Sequence, residues 1–488
     1  MSGELAGRRF TPDPSVEVHD GGKVLVGGSP LRVVRLTAPG AEVARQVLDG
    51  EPVPPGRGAT ALVRRLLDGG LVHPAVTGSD PEGPSRGADL TVVIPVRGEL
   101  PGDVLAGLGP VAEVVVVDDA NPVPVTAPAT TPDGVPVRVV RRTQLGGPGG
   151  ARNTGLEEVT TELVAFVDAD CVPAAGWLDH LLPHLDDPAV AAVAPRIVPA
   201  GDLDAGGSAL ARYEAVRSAL DMGPEPARVR ARSRVSFVPS ATLVARVADL
   251  RAVGGFDAEL HVGEDVDLVW RLDEQGHGVR YEPSATVAHR HRTSWRAWAR
   301  RRFDYGTSAG PLAVRHPGAL VPVEASPGSL AAWVAVATGH PAVGLGLAAG
   351  TAVRLARRLG DVEDGPALAT GVAVKGHVAV GRMLATALVR PWWPVTLAVA
   401  ALVPWRRLRR ALLLGALVPP LVEWATERPS HGPVSWVALR LADDAAYSAG
   451  VWVGALRART AEPLVPDLTS WPDPGRYTTW RASQATTA

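Results

Sequence analysis

The chain of 488 residues contains a single cysteine, Cys171. One thiol excludes an internal disulfide framework and argues against a zinc site built on cysteines, so we expect a reducing, cytosolic setting. Lysine is almost as scarce, because Lys23 and Lys375 are the only lysines among 49 basic residues. The 49 basic and 51 acidic residues nearly cancel, which argues against nucleic-acid binding through bulk charge.

The first residues lack the apolar segment of a secretory signal, which predicts a chain that begins on the cytoplasmic side. Apolar residues make up 46% of the chain and charged residues 20%, enough for large packed cores. The length predicts about three domains.

Composition divides the chain into five segments. Short β-rich runs with glycine turns and two helices predict a small module at 1–77, and a Gly/Pro/Ser linker follows at 78–88. Residues 89–310 alternate buried strands with helices, which predicts an α/β core with a mostly parallel sheet. Residues 311–463 form an apolar helical region, and 464–488 a polar tail. The strongest strand runs are Leu90–Pro95, Val114–Val117, Val137–Val140 and Leu163–Val167.

Two adjacent carboxylates, Asp118 and Asp119, follow a buried strand run. Ligands of open α/β sheets bind beyond the carboxyl ends of strands, where these acids suit a nucleobase or ribose. Acids there also cap loops, and both roles stay open. After the glycine-rich segment 146–150, Arg152 and Asn153 are predicted to open a helix whose N-terminus favours an anion.

Asp168 and Asp170 end the next buried run. Two carboxylates there suit Mg²⁺ or Mn²⁺, which would bridge to a diphosphate and neutralise a leaving group. A D-x-D sequence in a turn is also common without a metal.

Further along, Glu264 and Asp265 begin a predicted helix. The helix dipole favours acids at that position, and the functional alternative is a general base acting on an acceptor hydroxyl. His289 and His291 are candidates for a third metal ligand or a phosphate contact.

Six segments in order, TVVIPVRGE, VVVVDDA, GGPGGARNTGL, AFVDADC, GGFDAEL and GEDVDLVWRL, resemble the motifs of family 2 glycosyltransferases with the GT-A fold. The resemblance covers residues 89–310. It implies a sugar transfer from a UDP-sugar donor with inversion at the anomeric carbon. The Q-x-x-R-W signature of processive members is absent, so synthesis of a long polymer is not expected.

The resemblance also assigns donor-binding side chains. These are Asp118, Asp119, Arg152, Asn153 and Asp168. It implies that Asp118 and Asp119 contact the uridine and that Arg152 lies beside the nucleotide.

For the metal and the chemistry, the resemblance implies that Asp168 and Asp170 hold Mg²⁺ or Mn²⁺ and the diphosphate. His289 is our own candidate for a further metal ligand. It makes Asp265, within the Glu264–Asp265 pair, the catalytic base.

More narrowly, the chain resembles the mycofactocin-system branch of this family, which adds a hexose, expected from UDP-glucose, to a peptide-derived redox cofactor precursor. Residues 1–77 resemble PqqD-like modules, small winged-helix folds that bind a leader peptide as an added strand. The expected partners are the UDP-sugar donor, a peptide-derived small-molecule acceptor and a leader peptide. Two other functions stay open: transfer to a polyprenyl-phosphate or cell-envelope glycan, and a non-catalytic nucleotide-binding scaffold.

Apolar stretches occur at Leu330–Val353, Leu384–Val403 and Ala411–Trp424. A spanning helix needs about 20 apolar residues, and here Pro341 and Arg390 interrupt the longer stretches. Tryptophans at the ends of the runs are typical of a membrane interface. We expect peripheral or shallow association with the cytoplasmic face of the membrane; the alternative is a helical bundle in a cytoplasmic protein.

Overall fold

The computed structural model describes residues 5–76, 86–201, 207–290 and 294–468. Most of the predicted linker, His291 and most of the predicted polar tail lie outside these residues. The chain divides into two compact units, Met1–Ser294 and Trp295–Ala488. The first unit contains all of the sequence motifs described above, and the second contains the apolar helices.

The N-terminal part of the first unit is a small α/β module around its own apolar core. Its elements are β1 (Phe10–Pro12), β2 (Glu17–His19), β3 (Val24–Gly27), β4 (Arg32–Arg35), α1 (Ala38–Leu48), α2 (Arg57–Asp68) and β5 (Val72–Pro74). β2, β3 and β4 form an antiparallel sheet, and β1 pairs with β5. Phe10, Leu25 and Leu66 are buried between the strands and the helices. Thr37 caps α1 by accepting the N–H of Gly40 at 3.3 Å.

The rest of the first unit is built on one large mixed sheet. Its elements are β6 (Leu90–Val96), α3 (Gly102–Ala106), β7 (Glu113–Asp118), β8 (Val137–Arg141), α4 (Gly147–Glu158), β9 (Leu163–Val167), β10 (Cys171–Pro173), α5 (Trp177–Leu181), β11 (Val190–Pro199), α6 (Ala209–Arg217), β12 (Ala227–Arg228), β13 (Thr242–Arg246), α7 (Val247–Ala252), α8 (Glu264–Glu274) and β14 (Gly278–His289). Across the sheet the order is β10-β14-β11-β13-β9-β6-β7-β8, and β12 pairs with β14.

The predicted mostly parallel sheet holds for only part of the structure. β9, β6, β7 and β8 are parallel neighbours, as the apolar runs indicated. β13 runs antiparallel to both of its neighbours, and β10 and β12 run antiparallel to β14. The prediction was wrong for β10, β12 and β13, although β11 and β14 in the same half are parallel neighbours. A buried strand carries the same apolar pattern whichever way its neighbour runs.

Ion pairs join the N-terminal module to the core of the first unit. Arg64 of α2 donates to both carboxylate oxygens of Asp187, at 2.6 and 2.9 Å. Arg234 lies 2.9 Å from Asp13, which also contacts the buried His73 at 2.9 Å. The module therefore packs on the core through paired charges.

The second unit is helical in the residues that the structure describes. Its helices are α9 (Trp295–Thr307), α10 (Ala309–Arg315), α11 (Pro327–Ala337), α12 (Pro341–Arg358), α13 (Gly365–Val389), α14 (Trp393–Leu402), α15 (Arg406–Glu427) and α16 (Pro433–Ala458). Arg302 pairs with Asp443 at 3.0 Å, and Arg440 pairs with Asp444 at 3.0 Å, so buried acids of α16 are neutralised within the unit.

Helix boundaries in the second unit differ from the apolar stretches in the sequence. The stretch Leu330–Val353 is divided at His340 between α11 and α12, and Leu384–Val403 is divided between α13 and α14. Within the described part of the chain, α13 is the one helix long and apolar enough to cross a membrane, with a mean hydropathy of 1.4. The apolar stretches of the sequence do not delimit this helix, because Lys375 and Arg382 interrupt its apolar pattern.

Gly155 allows α4 to lie directly on the sheet. A Cβ atom at this position would approach Val93 Cγ1 of β6 to 2.2 Å. We expect Gly155→Ala to lower the free energy of unfolding by about 1–3 kcal/mol, because the helix must move away from β6. Urea unfolding measures this change. Gly58→Ala in α2 is the matched control, since nothing lies within 4 Å of its Cβ position, and an equal loss there would contradict the argument.

Candidate active site

The strand directions bring the sequence motifs to one edge of the large sheet. β7, β9, β11 and β14 all run the same way, because β13 reverses direction between β9 and β11. Asp118 therefore ends β7, Asp168 follows β9 and His289 ends β14 at a shared edge. Glu264, the first residue of α8, reaches the same place through a contact with Arg152 of α4.

Arg152 joins the D-x-D motif to the acids of α8. Its Nη2 donates to Asp168 Oδ1 at 2.6 Å, and its Nη1 donates to Glu264 Oε1 at 3.1 Å. The guanidinium also lies 5.5 Å from the ring centre of Phe256, within cation–π range. The side chain is only 3% exposed, so the two carboxylates are the main compensation for its charge. Breaking a buried pair of this kind costs about 3–5 kcal/mol.

The acids at the start of α8 form a closely coupled pair. Burial, and then the charge of Asp265, raise the pKa of Glu264 to about 7. Burial also raises the pKa of Asp265, although Arg152 opposes the shift. Asp265 accepts the N–H of Val266 at 2.8 Å and that of Ser240 at 3.4 Å, and it is half-buried, with part of its surface still accessible. It is therefore a fixed, accessible carboxylate with a raised pKa, which suits a general base.

Asp170 and His289 meet because β10 pairs antiparallel with β14. Cys171 lies opposite His289 in that pairing, and His289 Nε2 is 3.5 Å from Asp170 Oδ2. Asp168 turns its carboxylate to Arg152 instead. Within the described residues, no group of three His, Cys, Asp or Glu side chains is arranged around one metal position.

The charges around this edge fit a divalent cation. Three carboxylates (Asp168, Glu264 and Asp265) act on one buried guanidinium, and the charge of Asp170 acts on Asp168. Burial raises the pKa of Asp168; Arg152 opposes the shift, and the charge of Asp170 adds to it. One carboxylate and one imidazole leave most coordination positions to other oxygen ligands, as in a site completed by a diphosphate.

Asp118 and Asp119 hold the loops next to β7. Asp118 is fully buried and accepts the backbone N–H of Asn121 at 2.9 Å and that of Val125 at 3.1 Å. Asp119 accepts the backbone N–H groups of Gly146 at 2.9 Å and Gly147 at 3.1 Å. Loop capping, one of the two roles that the sequence left open, is thus observed, and contact with a uridine stays a prediction.

The helix predicted to open at Arg152 begins at Gly147 instead, so that prediction was wrong. Pro148 suits a first helical turn, and the glycine run is part of the helix. Asn153 lies inside α4, and its side-chain amide makes two hydrogen bonds to the backbone of Phe256. Its Nδ2 donates to the carbonyl oxygen of Phe256 at 2.7 Å, and its Oδ1 accepts the N–H of Phe256 at 2.8 Å. It positions the loop that carries Phe256, and its contact with a donor stays a prediction.

Three contributors to the site were missed in the sequence. Phe256 stacks on Arg152, and Arg142 lies 3.0 Å from Asp119. Arg142 directly follows β8, so a cation at a strand end was an available signal. The backbone N–H of Ser240, which reaches Asp265, had no signal, because any residue supplies an N–H.

Comparison with known proteins identifies the family. The profile described as Glycosyltransferase like family 2 matches residues 106–304. The pre-mycofactocin glycosyltransferase of Mycobacterium tuberculosis is 42% identical over 475 residues, covering 93% of this chain and 97% of that protein. The chain belongs to glycosyltransferase family 2. The expected fold class, an α/β GT-A core followed by a helical region, is confirmed.

Other relatives of this family 2 glycosyltransferase are more distant. Succinoglycan biosynthesis protein ExoW of Rhizobium meliloti is 40% identical over 106 residues, covering 19% of this chain and 32% of that protein. The mannosyltransferase PcManGT from Pyrobaculum calidifontis, solved with GDP-Man and Mn²⁺, is 20% identical with a TM-score of 0.35 and covers 70% of this chain and 88% of its own. S. aureus TarS 1-349 is 16% identical with a TM-score of 0.34, covering 76% and 92%. Both TM-scores lie below 0.5, so the assignment rests on the sequence relatives.

The acid pair of the glycosyltransferase predicts a specific pH dependence. Burial and the charge of Asp265 raise the pKa of Glu264, so Asp265 ionises first and Glu264 is still protonated while Asp265 titrates. The wild type should therefore show an inflection of kcat/KM near pH 7 from Glu264, in addition to the acid limb set by Asp265. In Glu264→Gln the inflection near pH 7 should disappear, and the acid limb should stay where it is, because the amide resembles the protonated acid. Transfer rates measured between about pH 5 and 9 test this. Glu274→Gln at the other end of α8 is the control and should keep the inflection, and an inflection near pH 7 that persists in Glu264→Gln would contradict the assignment.

Proposed function

We propose that this glycosyltransferase moves a hexose from a UDP-sugar, expected to be UDP-glucose, onto a peptide-derived redox cofactor precursor, with inversion at the anomeric carbon. The relative named pre-mycofactocin glycosyltransferase supports the acceptor class, since the two chains match over almost their whole lengths. The observation that carries the chemistry is Asp265, a half-buried carboxylate with a raised pKa beside the Arg152 bridge.

In the proposed reaction Asp265 removes the proton from an acceptor hydroxyl. The hydroxyl oxygen forms a bond to the anomeric carbon on the face opposite the diphosphate. The bond between that carbon and the diphosphate oxygen breaks, and the nucleoside diphosphate leaves with the electron pair. One base on the acceptor side is sufficient for this single displacement, which inverts the configuration. Arg152 keeps Asp168 and Glu264 in place and does not itself move a proton.

Asp170 and His289 would hold Mg²⁺ or Mn²⁺, and Asp168 would lie beside it. When bound, the cation supplies positive charge that stabilises the leaving diphosphate. The surplus of carboxylates around Arg152 supports this assignment. Asp119 and the first turn of α4, which it caps, are proposed to border the uridine side of the donor.

Peptide binding by the N-terminal module is also proposed. β2 and β4 each pair only with β3 in the described residues, so the sheet offers open edges to an added strand. The edge strand β4 carries Arg32 and Arg35 exposed at its ends, which would favour an acidic peptide.

The first test is Asp265→Asn. The amide is nearly the same size but accepts no proton, so kcat should fall by about 10²–10⁴-fold while UDP-sugar binding is retained. Single-turnover transfer and titration calorimetry with UDP separate the two effects. Glu274→Gln, on the same helix, should keep wild-type turnover. Full activity of Asp265→Asn would remove this residue from the chemistry.

The second test concerns the cation. His289→Ala and Asp170→Ala should each weaken Mn²⁺-dependent UDP binding at least about tenfold, in line with the loss of one metal ligand. EDTA should do the same to the wild type. His277→Ala, just before β14, is the control. Calorimetric binding of UDP that is insensitive to EDTA would argue against the metal site.

The alternative acceptor, a polyprenyl-phosphate or cell-envelope glycan, is favoured by one observation. Helices of the second unit expose large apolar side chains, among them Leu345 on α12, Leu397 on α14 and Leu414 on α15. A bilayer surface would cover such residues, so we propose that the second unit associates with the cytoplasmic face of the membrane.

Membrane association has a direct test. The full chain expressed without detergent should sediment with membranes, and alkaline carbonate should release a peripheral or shallowly inserted protein. Leu397→Glu and Leu414→Glu should increase the soluble fraction, whereas Leu156→Ile in the first unit should not change it. A wild-type protein found entirely in the soluble fraction would contradict the proposed membrane association.

A further inference from the structure

Two buried arginines face each other near the start of β14. Arg280 lies directly opposite Arg228 in the antiparallel pairing of β14 with β12. The two side chains are 3% and 6% exposed, and cross-strand partners project from the same face of a sheet. Like charges in this arrangement repel each other, so an opposite charge is needed nearby.

Three of the neighbouring acids are already engaged by other groups, and a fourth, Asp68, acts on Arg280 only through its charge, without a hydrogen bond or ion pair. Asp273 accepts from Arg228 Nη2 at 2.6 Å and from Arg230 Nη2 at 3.2 Å. Asp187 is held by both terminal nitrogens of Arg64. Glu282, on the same face of β14 as Arg280, contacts His184 Nε2 at 3.0 Å and the hydroxyl of Ser284 at 2.7 Å.

Arg280 consequently has no hydrogen-bond or ion-pair partner among the residues that the structure describes. Its Nε and Nη1 are both buried without an acceptor, and so is Nε of Arg228. Burial, and then the charge of Arg228, lower the pKa of Arg280 to about 10, so the guanidinium is still charged at neutral pH. Asp68 and Asp187 oppose that shift without contacting the side chain. Buried N–H groups and charges of this kind normally have partners.

We propose that Arg280 and Arg228 bind a small tetrahedral oxyanion, phosphate or sulfate, at the junction between the N-terminal module and the core. The unpartnered N–H groups belong to cross-strand neighbours, and the charges of Arg64 and Arg230 act on the same pair. An oxyanion accepts several N–H bonds at once and neutralises the excess charge. The burial of both arginines favours a small ion over a peptide side chain.

This site is separate from the sugar-transfer site. Arg280 pairs with Val193 and His289 with Pro199 along β11. Six residues of strand separate the two levels, or roughly 20 Å at about 3.3 Å per residue. The anion is therefore expected to stabilise the junction with the N-terminal module and to take no part in transfer.

Thermal unfolding of the full chain tests the proposal. Phosphate and sulfate are titrated separately into chloride buffer at constant ionic strength. At a hundredfold excess over Kd, each should raise the wild-type Tm by roughly 5 °C. Arg280→Met should raise Tm in chloride, because an uncompensated buried charge is removed, and should abolish the oxyanion-dependent rise. Arg196→Met on β11 is the matched control: Arg196 is paired with Asp221, so this change should lower Tm and keep the rise.

Calorimetry with inorganic phosphate provides the second measurement. One phosphate per chain should bind to the wild type and to Asp170→Ala, which separates this site from the transfer site. Arg280→Lys, which keeps the charge with fewer donors, should bind at least about tenfold more weakly, and it replaces Arg280→Met if that variant does not fold. An equal Tm rise in wild type and Arg280→Met would be a general salt effect and would overturn the proposal. An absence of phosphate binding to the wild type would also overturn the proposal. The same holds if Asp68→Asn lowers Tm as much as breaking an ion pair does, because Asp68 would then be the partner of Arg280.

Discussion

The bridge that Arg152 forms between Asp168 and Glu264 is the interaction on which the candidate site depends. Its guanidinium is buried beneath the carboxyl edge of the sheet, so it is fixed in position by α4 and the ring of Phe256. Through this bridge the D-x-D motif after β9 and the acids that begin α8 share one counter-charge. Motifs far apart in the sequence thereby become a single electrostatic unit.

That unit contains more negative than positive charge, and this imbalance explains its chemistry. Burial raises the pKa values of Asp168, Glu264 and Asp265, and the charges of neighbouring acids add to the shift for Asp168 and Glu264. A group with a raised pKa is a better proton acceptor, which suits the base of a sugar transfer. The same excess of negative charge favours a cation beside Asp170 and His289. It also favours a sugar donor that binds together with that cation. Family membership and local electrostatics thus point to the same reaction class by separate routes.

Charge is arranged differently at the other end of β14. There Arg280 is buried without a hydrogen-bond or ion-pair partner in the described chain, and Asp68 and Asp187 act on it only through their charge. β14 therefore has an uncompensated buried cation near its start and leads to a group of acids at its end. The positive end lies against the N-terminal module, which is held by ion pairs such as Arg64–Asp187, so packing of the module and balancing of charge are coupled.

The sequence by itself determined the strands at Leu90–Val96 and Leu163–Val167, the acids that begin α8 and the order of the motifs, because these follow from local apolar pattern and local spacing. Tertiary structure decided which charges meet. The antiparallel pairing of β10 with β14 places His289 beside Asp170, and the path of α4 turns Arg152 inward. Strand direction and ion pairing depend on contacts between distant segments, and periodicity along the chain carries no information about them.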